Sequence, residues 1–162
     1  MALRNPIVVG ANNELQALQA GDQVNVSTAG AAVRLMTNAE PATALAIGMP
    51  VYVSATNAVK RAQANAMATS NVYGIMFDVT TAALAFGQVA VDGVVTATTT
   101  QWDAVTGQTG GLTPNATYYL DPTTIAKLTT ASITTPGQVI QQVGKAGSIT
   151  DFEICIGPRI LL

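Results

Sequence analysis

Apolar and polar residues alternate along this chain in short bursts, and the three-to-four spacing of an amphipathic helix is rare. Gln23-Val24-Asn25-Val26-Ser27 alternates strictly and predicts a strand with one buried face, and Ala32 to Met36 predicts a second. From Leu45 onward strands are predicted at Pro50–Ser54, Val59–Gln63, Val72–Val79 and Gln88–Val95. Four more follow between Gly110 and Ile156, including Val139–Val143 and Phe152–Ile156. Turn pairs interrupt them at Pro114-Asn115, Asp121-Pro122, Pro136-Gly137 and Gly147-Ser148. The Ala-, Gln- and Met-rich stretch Ala62–Ser70 reads as one short helix or a loop. No heptad pattern and no long amphipathic helix is present. The expected fold is all-β, a compact β-sandwich or β-barrel of short antiparallel strands.

Two regions are expected. Residues 1–40 read as an N-terminal arm with a short β segment and a docking role, and residues 41–162 as the sandwich or barrel body. Within the arm, Glu14–Ala20 fits two helical turns or one strand, and irregular structure is favoured; the polar Asn38–Pro41 reads as a hinge. An internal repeat is also visible. Val51-Tyr52-Val53 is echoed 67 residues later by Tyr118-Tyr119-Leu120, with Lys60 meeting Lys127 and Val72 meeting Val139 at the same offset. Gln88–Val91 matches Glu153–Ile156 at an offset of 65. Either the body is two similar β units, or two β meanders resemble one another by chance.

Composition narrows the function. The chain has 162 residues, enough for one ordinary core, and no apolar run approaches the roughly 18 residues needed to cross a bilayer as a helix. Ile7-Val8-Val9 behind Arg4 is too short for a signal-peptide core, so export by that route is not expected. Only 10% of residues are charged, against roughly 25% in ordinary soluble domains, so Thr, Asn, Gln and Ser must cover the surface. Burial of surface against other subunits has the same effect, because interface cores are depleted in charge. A net charge of −2 without any basic run argues against nucleic acid as a partner.

Candidate chemistry is sparse. The absence of histidine removes Ser-His-Asp and Cys-His catalysis and the commonest transition-metal ligand. The lone Cys155 lies in an apolar run and reads as a buried reduced thiol. Asp151 and Glu153 share one face of a predicted strand; they fit a glycosidase pair or a cation site less well than a solvated edge. Asp78, Asp92, Asp103 and Asp121 fall at predicted turns. Thr106–Gly111 is glycine-rich but lacks the lysine of a phosphate loop. Asn25-Val26-Ser27 and Asn115-Ala116-Thr117 match the glycosylation pattern, which is too short to carry weight alone. Tyr52, Tyr73, Tyr118 and Tyr119 suit either a carbohydrate platform or a strand and interface lining, and Trp102 reads as a core plug or an interface anchor, the core being favoured. No catalytic, cofactor-binding or metal residue is assigned, and no enzyme activity is expected.

The segment Gly111-Leu112-Thr113-Pro114-Asn115-Ala116-Thr117-Tyr118-Tyr119-Leu120, followed by Pro136-Gly137-Gln138-Val139-Ile140-Gln141-Gln142-Val143-Gly144-Lys145-Ala146 and the closing Ile154-Cys155-Ile156, resembles a module of tailed-bacteriophage structural proteins. Gly48–Val53 and Tyr73-Gly74-Ile75 extend the likeness loosely to the middle third. Such modules occur in capsid decoration (cement) proteins, head fibres and tail fibres. The short chain fits decoration best. The resemblance implies a homotrimer on the outer capsid surface of the virion, made in the host cytoplasm, with the major capsid protein as partner. A terminal arm would make the contact, here through Arg4, Asn5, Ile7, Val8 and Val9, and the interface aromatics would be Tyr52, Trp102, Tyr118 and Tyr119. No membrane and no cofactor are implied. The alternative from the same resemblance is a tail-fibre, head-fibre or spike domain that binds a host receptor or glycan.

Overall fold

A computed structural model describes residues 30–162, together with the backbone pairing of two strands near the N-terminus. Those two, β1 (Ile7–Val9) and β2 (Leu15–Ala17), form an antiparallel ribbon with Ile7 opposite Ala17 and Val9 opposite Leu15. Leu15–Ala17 is therefore strand and not irregular chain, because cross-strand pairing with the Ile-Val-Val run supplies its backbone partners. Arg4, Asn5 and the expected strand Gln23–Ser27 lie outside the described residues.

The body begins with β3 (Ala32–Asn38), followed by β4 (Leu45–Ala46), β5 (Pro50–Ala55), β6 (Ala58–Arg61), β7 (Val72–Met76), β8 (Thr80–Thr81) and the long β9 (Phe86–Thr96). Strands β9, β3, β6, β5 and β7 pair in that order, and β7 returns to β9, which closes a five-stranded barrel. Closure removes the exposed edges that such short strands would otherwise present. Helix α1 (Thr99–Thr106) follows, and then β10 (Thr117–Leu120), β11 (Leu128–Thr129), β12 (Val139–Ala146), β13 (Asp151–Ile154) and β14 (Arg159–Leu161). These strands extend the sheet from the far half of β9 in the order β13, β12, β10, β11, with β14 on the first half of β12. Among the described residues the fold is all-β with one short helix.

The repeat is structural. In the first half β5 pairs with β6 and β7, and β7 with β9; in the second β10 pairs with β11 and β12, and β12 with β13. A bulge falls between Val51 and Tyr52 in one unit and between Tyr118 and Tyr119 in the other. The turn before each strand is copied too. Gly48 and Asn115 both have left-handed backbones, and their amides donate to Met76 O (2.9 Å) and Ala146 O (2.8 Å). Met76 N and Ala146 N return the bond to Met49 O and Ala116 O.

Gly74 and Gly144 occupy matching sites opposite Val51 and Tyr118. A Cβ on either would lie 2.2 Å from a backbone oxygen of the next strand, so both sites require glycine. The 67-residue offset therefore holds for β5 and β10, but Val72 does not correspond to Val139. Gly74 and Gly144 set that strand's offset at 70, and the matching of Ile75–Ala90 with Lys145–Glu153 sets the next at 63, not 65. Loops of unequal length between the strands produce the difference.

Two cores result. The barrel interior holds Met36, Leu45, Val51, Val59, Met76 and Val89. A larger core lies outside it, where Ile75 and Ala90 on the outer barrel face meet Trp102, Tyr118, Leu120, Val143 and Phe152 of the second unit. The second unit does not close by strand pairing. Helix α1 packs against β11 and inserts Trp102 and Val105. Its N-terminus is fixed by a capping box between Thr98 and Gln101, its C-terminus by left-handed Gly107, and Lys127 Nζ donates to the last-turn carbonyl of Ala104. The Ala62–Ser70 stretch is an irregular loop, and its backbone ties the units: Ala64 N donates to Asp121 O (3.1 Å) and Val139 N to Ala64 O (2.8 Å).

β3 pairs with β9 from Ala32 to Thr37, so this β segment is part of the barrel wall. Asn38 is no hinge. It is 1% exposed, its Nδ2 donates to the carbonyls of Thr43 (2.9 Å), Thr81 (3.2 Å) and Ala82 (3.0 Å), and its Oδ1 accepts from Glu40 N. Glu40 in turn binds Arg61 through both the guanidinium and the backbone amide. Burial raises the Glu40 carboxyl's pKa, but the hydrogen bonds and charge of Arg61, aided by Lys60, outweigh it and hold the group below the ordinary glutamate range.

Candidate interaction surface

The aspartates among the described residues accept hydrogen bonds that hold turns and loops. Asp103 accepts from Gly110 N (3.1 Å) and Gly111 N (2.6 Å), which orders the glycine-rich Thr106–Gly111 loop. Asp121 Oδ1 accepts from Thr123 N and Thr124 N, and Asp78 Oδ2 from Gln88 N. Asp103 lies in α1 and Asp92 within β9, so only Asp78 and Asp121 of the four sit at turns as expected. Asp151 and Glu153 do share one face of β13. That strand is flanked by both β12 and β9, so it is interior and not an edge; Asp151 accepts from Thr96 Oγ1 (2.7 Å) and Ser148 Oγ (2.9 Å). Asp151 thereby ties the hairpin to β9, and Glu153 stands exposed on the same face.

The aromatic assignments divide. Trp102 and Tyr118 are fully buried, which makes them core residues rather than interface aromatics. Both rings pack on Phe152, with centroids 5.4 and 5.9 Å away, and their polar ends are satisfied inside. Trp102 Nε1 donates to Thr150 O (2.8 Å), and Tyr118 OH accepts from Thr113 N and donates to Gln108 Oε1. Tyr52 and Tyr119 are half-buried and remain at the surface. Tyr119 lines an open cleft with Ala131, Ser132, Ile133 and Ile140 under the Thr-rich segment after β11. Cys155 is exposed, contrary to the buried thiol expected, because β13 turns Phe152 and Ile154 inward and leaves the next position outward.

What alternation alone did not single out is an apolar strip on the outer barrel wall. On β3, Val33 and Leu35 are 43% and 65% exposed. On β9, Phe86 is 70% exposed, and Leu84, in the preceding turn, is 67% exposed. Register places Leu35 opposite Gln88 and Thr37 opposite Phe86, so Leu35 and Phe86 are diagonal neighbours on one face. Leu84 adjoins them, with its amide donating to Asn38 O (2.9 Å). The polar members of the face, Thr37 and Gln88, carry no charge. A second exposed group, Ile160, Leu161 and Leu162, lies on and beyond the edge strand β14.

The comparisons with known proteins add no family: no protein-family model matches the chain, and no curated protein matches it in sequence.

Proposed function

We propose that this chain is a structural protein of a tailed-bacteriophage virion that binds the outside of the capsid as a homotrimer and stabilises the expanded shell. The observation that carries this reading is the contrast between a body whose aspartates serve its own turns and loops and an outer wall that presents large uncharged side chains at Leu35, Leu84 and Phe86. Such a surface recognises other proteins by burial. The doubled β unit supports the same reading, since the resemblance to decoration modules runs through both copies of the strand that follows Gly48 and Asn115. The mechanism is mass action: a ligand that binds one state of the shell stabilises that state, and many copies on a symmetric lattice add avidity. The major capsid protein is the partner, and the N-terminal segment that carries Arg4, Asn5, Ile7, Val8 and Val9 is the proposed docking arm. Incubating purified protein with undecorated capsids, followed by sedimentation, tests binding directly; protein left wholly in the supernatant excludes the reading.

The cleft at Tyr119 favours one alternative, a fibre or spike domain that binds a host glycan. A glycan array and a cell-adsorption assay separate the two, because only the alternative expects signal there.

A further inference from the structure

We infer that the outer face of β3 and the first turn of β9 is where copies of this chain meet, with three faces turned toward a common axis. The number three is taken from the functional reading above; the assignment of the surface rests on the barrel wall itself. That wall is one continuous face with two fates. At Ile75 and Ala90 it is covered by the second unit and fully buried, whereas at Val33, Leu35 and Phe86 the same side of β3 and β9 is bare. With 150–250 Å² for a large aromatic and somewhat less for Leu and Val, the exposed fractions leave roughly 450 Å² of apolar side chain in one strip.

That area lies within the roughly 300–600 Å² of the largest apolar patch on a monomer, a size that is often functional, and it is about half of the roughly 800 Å² that each partner contributes to a standard interface. Specific interfaces are themselves a little over half apolar, so a strip of this size with a polar rim supplies the apolar centre of an interface. Its polar members, Thr37 and Gln88, are uncharged, as the centre of an interface requires. The occupant that suits best is a second copy. Strips brought together around a symmetry axis bury one another in every copy at once.

The test uses the full-length chain at micromolar concentration in sedimentation velocity. The wild type is expected to sediment as one oligomer, and the double variant Leu35→Ser, Phe86→Ser as a monomer with an unchanged circular dichroism spectrum, since both side chains are already outside the fold. A second measurement does not depend on that variant's folding. In a Cys155→Ser background, Leu35→Cys is expected to cross-link between copies on oxidation, and Ile149→Cys, exposed elsewhere, is not. A monomeric wild type overturns the inference, as does an oligomer that survives the double substitution or a Leu35→Cys chain that fails to cross-link. Capsid binding by the wild type is scored separately: oligomers that form through this face but ignore capsids would refute the decoration reading alone. A monomer whose capsid binding is lost in the double variant would refute this inference alone.

Discussion

Asn38 offers the sharpest test of how the barrel is held together. Its side chain is 1% exposed, and its amide nitrogen serves three carbonyls, Thr43, Thr81 and Ala82, while its oxygen takes Glu40 N at 3.0 Å. Removing one buried partner leaves the others desolvated without a bond, at about 1–3 kcal/mol each. Asn38→Ala should therefore cost about 3–4 kcal/mol after partial relaxation, which for a chain of this size lowers Tm by roughly 6–15 °C. Asn38→Asp is more informative, because it preserves shape and the acceptor for Glu40 N but turns a carboxylate oxygen toward three carbonyls. The fold then favours the neutral acid, so the new group's folded pKa rises above its unfolded value. Its folded form binds more protons, and the variant must lose stability as pH rises from about 4 to 7. Urea unfolding at fixed protein concentration, at pH 4.5 and pH 7, measures both effects. An Asn38→Asp protein within 1 kcal/mol of wild type at pH 7, or one that gains stability relative to wild type as pH rises, would refute the assigned hydrogen bonds.

Other substitutions test separate parts of the structure. Glu40→Gln should cost about 1–2 kcal/mol at pH 7. Because the Glu40 carboxyl titrates below its ordinary value in the fold, its contribution is complete above the unfolded pKa and fades as pH falls through the folded one; the gap between variant and wild type should therefore narrow in urea melts as pH is lowered below the ordinary glutamate range. Gly74→Ala and Gly144→Ala should each destabilise by about 2–4 kcal/mol, since a Cβ at either site meets a backbone oxygen at 2.2 Å; alanine tolerated at one site but not the other would break the equivalence of the two units. Trp102→Phe removes both volume and the bond to Thr150 O, and should cost about 2–3 kcal/mol by thermal melt, with a loss under 1 kcal/mol showing that α1 does not close the second unit.

Much of this architecture was legible in the alternation of residues. Pro50–Ser54, Val59–Gln63 and Gln88–Val95 became β5, β6 and β9 with small shifts, because each carries branched residues between turn signals. The helix was not legible. Thr99-Thr100-Gln101-Trp102 has poor intrinsic helix propensity and α1 buries only Trp102 and Val105; the signals that marked it were the Thr98–Gln101 capping box and Gly107. β14 was missed because Pro158 and a run of three exposed apolar residues show no alternation, and pairing with β12 alone makes them a strand. The strip escaped notice for a related reason. Val33, Leu35 and Met36 are all apolar, so the sequence of β3 does not say which face points inward; the packing of Met36 into the barrel decides it and leaves Leu35 outside. The repeat was visible at β5 and β10, but loops of unequal length hid its true register in the strands that follow.

The decoration role is tested most directly by heating. Undecorated expanded capsids are mixed with a molar excess of the full-length chain, freed of unbound protein by sedimentation, and warmed while release of the shell contents is followed by light scattering. Co-sedimentation of the chain with a higher rupture temperature than that of bare capsids is the predicted result. Capsids that bind no protein and rupture at an unchanged temperature would contradict it.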